Sequence, residues 1–551
     1  MNNEIDFSKK YEYDVEIYLD GYGTLGSGTL HFGGGVFPHV NLDAFGQFIR
    51  PDGEPHLKAK TKGGEKFTLT NCTYQDYTIH SDLIVCGDIA SGSSEIIVKY
   101  ADISDWFMCD QYVKGNLGEN LNWTTPPPQI LANIESENYS FSLRSEIYSS
   151  LTKHREERTI HEHVNFVFTR SDGEFSLSEI KNKPLELSSL LSIFIAYPIS
   201  ISSIWVKGSS GYPVPLYYPT FKKADRDFDE NVFWRNALIS RSTLDGCWQS
   251  ILEKYYNSKF RKVQWSRLSG MQRHEGFWEY KVLGYVSLLD SYTSRLTKED
   301  GIKPTNKKAE KIDVLLGALD SIKHPLTPEQ LAEVRSLIES ALPKQRTLSF
   351  TEKYNYLIDN TDTDIIKIIN LSNEDFKLIK QVRDIIAHGD AVDLIEYPYE
   401  RIHSTTQKLT LLLTYHATVD FGIATGDFIQ SLYNTINILS YNKGLDLVHL
   451  RRTIEPDSFL KVSPSLFDKI TSAASFNIYA CFAKSPNGVL EYSEKYSRIH
   501  KEWLNQKNSG RYSFEDIFGV AKERIKNFGT AYLECGEKIK ELYGVFIILD
   551  E

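Results

Sequence analysis

Arg383, Asp384 and His388 are the residues of this chain whose types and spacing best suit chemistry on a phosphodiester. A guanidinium can grip a phosphate with two hydrogen bonds and stabilise charge that builds up in the transition state. An imidazole moves a proton near neutral pH, and a neighbouring carboxylate can orient either group. None of these steps calls for a metal ion. All three residues fall in Ser372–Gly389, SNEDFKLIKQVRDIIAHG, which has the marks of one helix. Ser372 is a good N-cap with Asp375 three residues on, close to a capping box, and Gly389 is a natural left-handed terminator. At about 100° per residue, Leu378, Ile379, Val382, Ile385 and Ile386 share a face expected to enter a core. Arg383, Asp384 and His388 fall opposite it, with Asp384 and His388 as an i,i+4 pair. His388 also closes the helix at the end whose dipole favours positive charge.

Spacing alone would be weak, because four other Arg/His pairs stand four to six residues apart: Arg50/His56, Arg155/His161, Arg158/His163 and Arg267/His274. The first encloses Pro51 and Pro55 and cannot be helical. The next two lead into the alternating run HVNFVF, a strand pattern. The last contains Gly270 and straddles a helix start. Only Arg383/His388 sits inside a capped amphipathic helix.

Arg383-Asp384-Ile385-Ile386-Ala387-His388 resembles the R-x4-H signature of HEPN domains, including the polar residue that often follows the Arg. The resemblance implies a metal-independent ribonuclease without cofactors, with two protomers bringing their motifs together at a dimer interface. In the implied scheme a 2′-OH attacks the adjacent phosphate, leaving a cyclic phosphate and a 5′-OH. His388 is then the general base or acid, Arg383 holds the phosphate and Asp384 orients one of them. Asp290 and Tyr292, on an earlier helix, are candidate supporting residues, with a surface carboxylate and an ordinary helix position as the alternatives.

The elements around the motif are legible in outline. The chain has 551 residues and a net charge of −11, so RNA would have to meet a local basic patch. A lysine-rich loop, KEDGIKPTNKKAEK, offers Lys303, Lys307, Lys308 and Lys311 for that purpose. Six cysteines are scattered without C-x-x-C spacing, which argues against a zinc site or a disulfide framework and for a reducing compartment. The first residues carry no apolar signal region, and the most apolar run, Leu190 to Val206, is broken by serines and Pro198. A cytoplasmic protein without a membrane span is expected.

Residues 1–225 read as short alternating strands, such as YEYDVEIYL and EIIVKYADI, with few helices, and suggest an antiparallel β-sandwich-like domain. Pro126-Pro127-Pro128 suggests a link between two sheets, and Pro184 the opening of a helix, LELSSLLSIFIAYP. His154, His161 and His163 are read as strand histidines, not metal ligands. Residues 226–270 read as a helical connector and 271–440 as a helical bundle. The bundle's first helix has Phe277, Tyr280, Val282, Leu283, Val286, Leu289 and Leu296 as expected anchors. Thr327 to Gln330 has capping-box spacing, and Glu400 to Ile423 forms a further helix. Residues 441–551 form a mainly helical α+β extension, with a helix expected from Ser513 to Tyr543 and a basic character from Lys501, Lys507, Arg511, Lys522, Arg524 and Lys526. The class is α+β.

A β-rich domain ahead of a HEPN bundle resembles the ApeA-type anti-phage proteins of the abortive-infection kind, over residues 1–440. That likeness implies an RNA substrate, tRNA being one candidate, a homodimer or higher homo-oligomer through the bundle, and a phage protein as trigger. The β-rich domain shows no constellation for chemistry and is expected to control the nuclease, because an unregulated RNase would harm its own cell. A different class stays open: a non-catalytic HEPN dimer that serves as a protein-binding scaffold. Catalysis is favoured because scaffolding members typically lose the Arg or the His, and both are present. A metal-dependent nuclease is disfavoured by the lack of a carboxylate cluster.

Overall fold

The structure is a computed structural model that describes residues 4–43, 48–50, 56–89, 92–109, 113–114, 122–123, 127–136, 139–208, 211–223, 233–303, 314, 316–319, 327–341, 347–440, 444–472, 480–484, 490–505 and 513–549. Alternating sequence makes the N-terminal half a sheet. In the strand Lys10–Leu19, Val15 and Ile17 are buried while Asp14 and Glu16 face solvent. That strand pairs antiparallel with Gly23–Gly33 on one side and Leu57–Thr61 on the other. Continued outward, the ladder joins 14 strands in one antiparallel sheet. The strands on either side of the proline triplet, Asn122–Trp123 and Leu131–Ser136, lie in different sheets, a two-stranded one and this one, as the triplet suggested.

The sheet rolls on itself. Gly23–Gly33 and Pro213–Tyr217 have four strands between them in ladder order, yet the Phe32 and Tyr217 rings lie 5.7 Å apart. The Tyr217 hydroxyl donates to the Val36 carbonyl at 2.9 Å across the same gap. The turn that permits this closeness is Gly33-Gly34-Gly35, all with positive φ. A Cβ on Gly33 would stand 2.0 Å from the Lys9 carbonyl oxygen, so only glycine fits.

A buried helix, Leu177–Ile195, packs on the sheet. It begins seven residues before Pro184, at a capping box made by Ser176 and Glu179. Pro184 is therefore internal, a correction to the start expected at the proline. The strong local cap outweighs the proline, and the Tyr218 hydroxyl takes the Lys181 carbonyl, close to the hydrogen bond that proline removes, at 2.9 Å.

The connector docks on the sheet. From the helix Trp248–Asn257, Gln249 pairs through its amide with both the N–H and the C=O of Asn133, at 2.8 and 2.7 Å. Asn257 donates to the Glu135 carbonyl at 3.0 Å. These side chains occupy the open edge of the terminal strand Leu131–Ser136, which would otherwise present unpaired backbone groups. Beneath lies a buried charge cluster. Glu186 meets Lys183 at 3.2 Å and Arg261 at 2.9 Å, and both cations are about 5% exposed. The Lys183 ammonium sits 4.2, 4.7 and 4.8 Å from the ring centres of Tyr139, Phe141 and Tyr256.

The bundle follows. Its first helix, Trp278–Glu299, packs against Phe350–Asp359, Asn373–His388 and Tyr399–Asp420. Val282, Val286 and Leu289 are buried as expected, but Phe277 and Tyr280 are 74% and 58% exposed. Thr327 and Gln330 form the reciprocal capping bonds read from the sequence. A π-helical turn, Arg261–Trp265, carries Trp265 into the core, where its indole donates to Asp420 at 2.6 Å. His416 lies close by, in contact with Tyr292 and Tyr415, and bonds Thr361 at 3.0 Å.

Burial pushes His416 from 6.5 down to about 4. The folded chain thus keeps this imidazole neutral while the unfolded chain protonates it below 6.5. The stability it contributes is full above that value and is lost as pH falls towards 4, amounting to roughly 3 kcal/mol. His416→Gln should therefore flatten the fall in melting temperature between pH 7 and pH 4.5. An unchanged slope would show that this histidine does not drive it.

Residues Met1–Leu445 form one compact unit and Asp446–Glu551 another. The second unit is a five-stranded sheet with the helices Pro464–Ser472 and Glu494–Leu504. The helix expected from Ser513 to Tyr543 stops at Phe518, where Gly519 takes a left-handed φ of 67°. Ile525–Cys535 and Lys538–Leu549 are instead an antiparallel hairpin. Among the described residues no helix is long and apolar enough to cross a membrane.

Candidate active site on the helix Asn373–His388

Local signals set the ends of the motif helix. The Ser372 hydroxyl accepts the Asp375 N–H at 3.1 Å, and Gly389 ends the helix at a φ of 83°. The Asp375 side chain is drawn elsewhere, to Arg401 at 3.0 Å and Lys408 at 3.6 Å. Burial raises this carboxyl, but the Arg401 bond and the Lys408 charge outweigh it and hold it below the usual carboxylate range. These ties bind the start of the motif helix to Tyr399–Asp420.

Phe376, Leu378, Ile379 and Val382 are buried. Ile385 and Ile386 are only half-buried, which corrects the continuous apolar stripe read from periodicity. Burial falls off over the last turn of the helix, towards Gly389. Ala387 and His388 are exposed.

Arg383 is not a freely solvated side chain. Only 21% of it is exposed, and its guanidinium lies 5.5 Å from the centre of the Phe350 ring. Its Nε faces Asp384 Oδ1 at 3.1 Å, an ion pair out of line for a hydrogen bond. Asp384 also lies 3.9 Å from Lys380. Its carboxylate is thus drawn to Arg383 and Lys380 instead of the His388 pairing expected from spacing. Five residues, about 1.4 helical turns, separate Arg383 from His388 in the second half of the helix.

The supporting candidates diverge. Asp290 forms an ion pair with Lys353, which also donates to Ser294 at 2.7 Å. Tyr292 is a correction: it is 4% exposed, with Phe260 and Trp265 rings both 5.0 Å away. Two residues on from Asp290, it points into the aromatic core, where burial pushes its hydroxyl far up. Lys303 is exposed, and Lys307, Lys308 and Lys311 lie outside the described residues.

Phe350 and Lys353 were missed by sequence reasoning. Both sit on Phe350–Asp359, and the Phe350 ring has Arg383 on one side and Lys353 at 5.9 Å. Tyr354 stacks on Phe376 at 3.7 Å, fixing this helix to the motif helix. A signal was present, since Ser349 and Glu352 form a capping box that announces the helix.

Two family models match the chain: ApeA N-terminal domain 1 over residues 18–255, and Apea-like HEPN over residues 283–427. The first takes in most of the connector helix that docks on the sheet edge, Gln249 included, and the second takes in Arg383 and His388. No curated protein and no solved structure matches.

Proposed function

The chain carries the two domains of an ApeA-type HEPN protein, and from that premise we propose that it is a metal-independent endoribonuclease of cytoplasmic anti-phage defence. The observation that carries this reading is the pairing of Arg383 and His388 at the exposed end of a rigid helix inside the HEPN match. Arg383 binds the phosphate between nucleotides, held in direction by Asp384 and by the Phe350 ring. His388 moves the proton: it takes it from the attacking 2′-OH or gives it to the leaving 5′-oxygen. The products are a 2′,3′-cyclic phosphate and a 5′-OH, with no net redox change and no water consumed in the first step. One imidazole serves one of these two transfers, and a second copy of the motif supplies a group for the other.

That requirement leads to a dimer. Ile385 and Ile386 are half-buried at the open end, and Leu394 and Ile395, just beyond it, are 48% and 92% exposed. An isologous contact over this apolar edge would set both motifs against each other, and the small Ala387 permits close approach. Ile395→Asp should place a charge in that seam. Light scattering is expected to show a dimer for the parent chain and a monomer for the variant, with RNA cleavage lost and the circular dichroism unchanged. A variant that stays dimeric would remove this edge from the interface.

A further inference from the structure

The rolled sheet encloses a second concavity, far from the motif in sequence, of about 1200 Å³. Six chain segments converge on it: the N-terminal stretch, the Gly34-Gly35 turn, the stretch from Lys99 to Asp105, the strand carrying His161 and His163, the strand start at Ile201-Ser202, and the segment ending at Lys223. Its acidic residues are already engaged. Asp6 accepts from the Ser8 N–H and hydroxyl at 2.9 and 2.6 Å, Asp102 pairs with Lys223 at 2.9 Å, and Asp105 and Glu162 have partners too. Lys99 is held by Glu4 at 3.1 Å.

The cations are not used up in the same way. Among the described residues, neither Lys10 nor Lys222 forms an ion pair. Both stems run along the glycine turn: a Cβ on Gly34 would lie 2.9 Å from Lys10 Cγ, and one on Gly35 would lie 3.4 Å from Lys222 Cε. The bare turn thus brings two unneutralised ammonium groups to one wall. Beside them Phe221 is 59% exposed and lines the cavity, with the Arg273 guanidinium 4.6 Å from its ring centre. Arg273 reaches back from the loop that enters the bundle and is fixed by the Ile199 carbonyl and the Ser200 hydroxyl.

From this juxtaposition we infer that the β-rich domain binds a phosphorylated, nucleotide-sized small molecule, with phosphates on Lys10 and Lys222 and a planar ring on Phe221. The volume exceeds that of many small-ligand pockets, so it admits a whole nucleotide with bound water. The charge balance, with engaged acids and two unpaired lysines on one wall, selects an anion. The exposed ring is a stacking platform that tolerates any base. Phe221 also places the ligand one contact away from Arg273 and hence from the start of the first bundle helix.

The test is calorimetric titration of the full chain carrying Arg383→Ala, so that the motif site adds no phosphate binding of its own. The probes are the four ribonucleoside triphosphates, inorganic tripolyphosphate and adenosine. At least one triphosphate is expected to bind, more tightly than tripolyphosphate or adenosine. Lys10→Ala with Lys222→Ala should weaken it by at least about 10-fold, the loss of a charge-assisted contact. Phe221→Ala should weaken the nucleotide but leave tripolyphosphate as it was. The proposal is overturned if no triphosphate binds more tightly than about 1 mM. It is also overturned if the double lysine variant binds as the parent does.

Discussion

Replacing His388 by alanine is expected to lower RNA cleavage by roughly 10²- to 10⁴-fold, the usual cost of losing a positioned proton-transfer group. The melting temperature should hold, because His388 is exposed at the helix end and leaves no cavity. Arg383→Ala should abolish cleavage as well, but its stability should fall by about 0.5–1 kcal/mol through loss of the guanidinium over Phe350. The two variants thus share a catalytic defect and differ in stability. Gel assays of bulk RNA together with thermal melts separate these outcomes. His388→Ala cutting at the parent rate would remove the assignment. Equal melting temperatures for the two variants would show that the Phe350 contact adds nothing.

The second large effect is on folding. Glu186→Ala should destabilise the unit Met1–Leu445 by roughly 3–5 kcal/mol, because it leaves Lys183 and Arg261 buried without their shared anion. Burial already pulls the Lys183 ammonium below the usual lysine range, and the Glu186 charge is the chief influence opposing that pull. Adding Lys183→Met should restore part of the loss, since an apolar chain of similar length suits the Tyr139, Phe141 and Tyr256 walls. Calorimetric melts of the single and double variants check this. A loss below about 1 kcal/mol for Glu186→Ala would mean that water reaches the cluster and screens it.

Where a signal is local, it was legible. Ser372, Gly389, Thr327 and Gln330 act through atoms three or four residues away, and the helix ends they predict are the ones observed. Alternation likewise disclosed the strands of the β-rich half. Burial on a given face depends on partners elsewhere in the chain, and there the pattern misled. Ile385 and Ile386 match Val382 in period but are only half-buried. Tyr292 looked like a companion of Asp290, yet a turn of about 200° over two residues carries it into the Trp265 cluster. Phe277 and Tyr280 match the stripe of the first bundle helix and still face outward. At the C-terminal end, Ser513 and Asp516 do cap a helix, but Gly519 cuts it short. The placement of Arg383 against Phe350 depends on two helices meeting, and nothing in the spacing of either one specifies that.

The central claim is a phosphodiester cleavage carried out by Arg383 and His388 alone among reacting groups, each supplied by two copies of the chain. The most direct measurement is the chemistry of the cut ends, read by mass spectrometry after incubating the purified protein with RNA in excess EDTA. Cleavage at the rate seen without chelator, with 2′,3′-cyclic phosphate on one fragment and 5′-OH on the other, is the predicted result. Loss of cleavage in EDTA that Mg²⁺ restores, or fragments bearing 5′-phosphate, would contradict it.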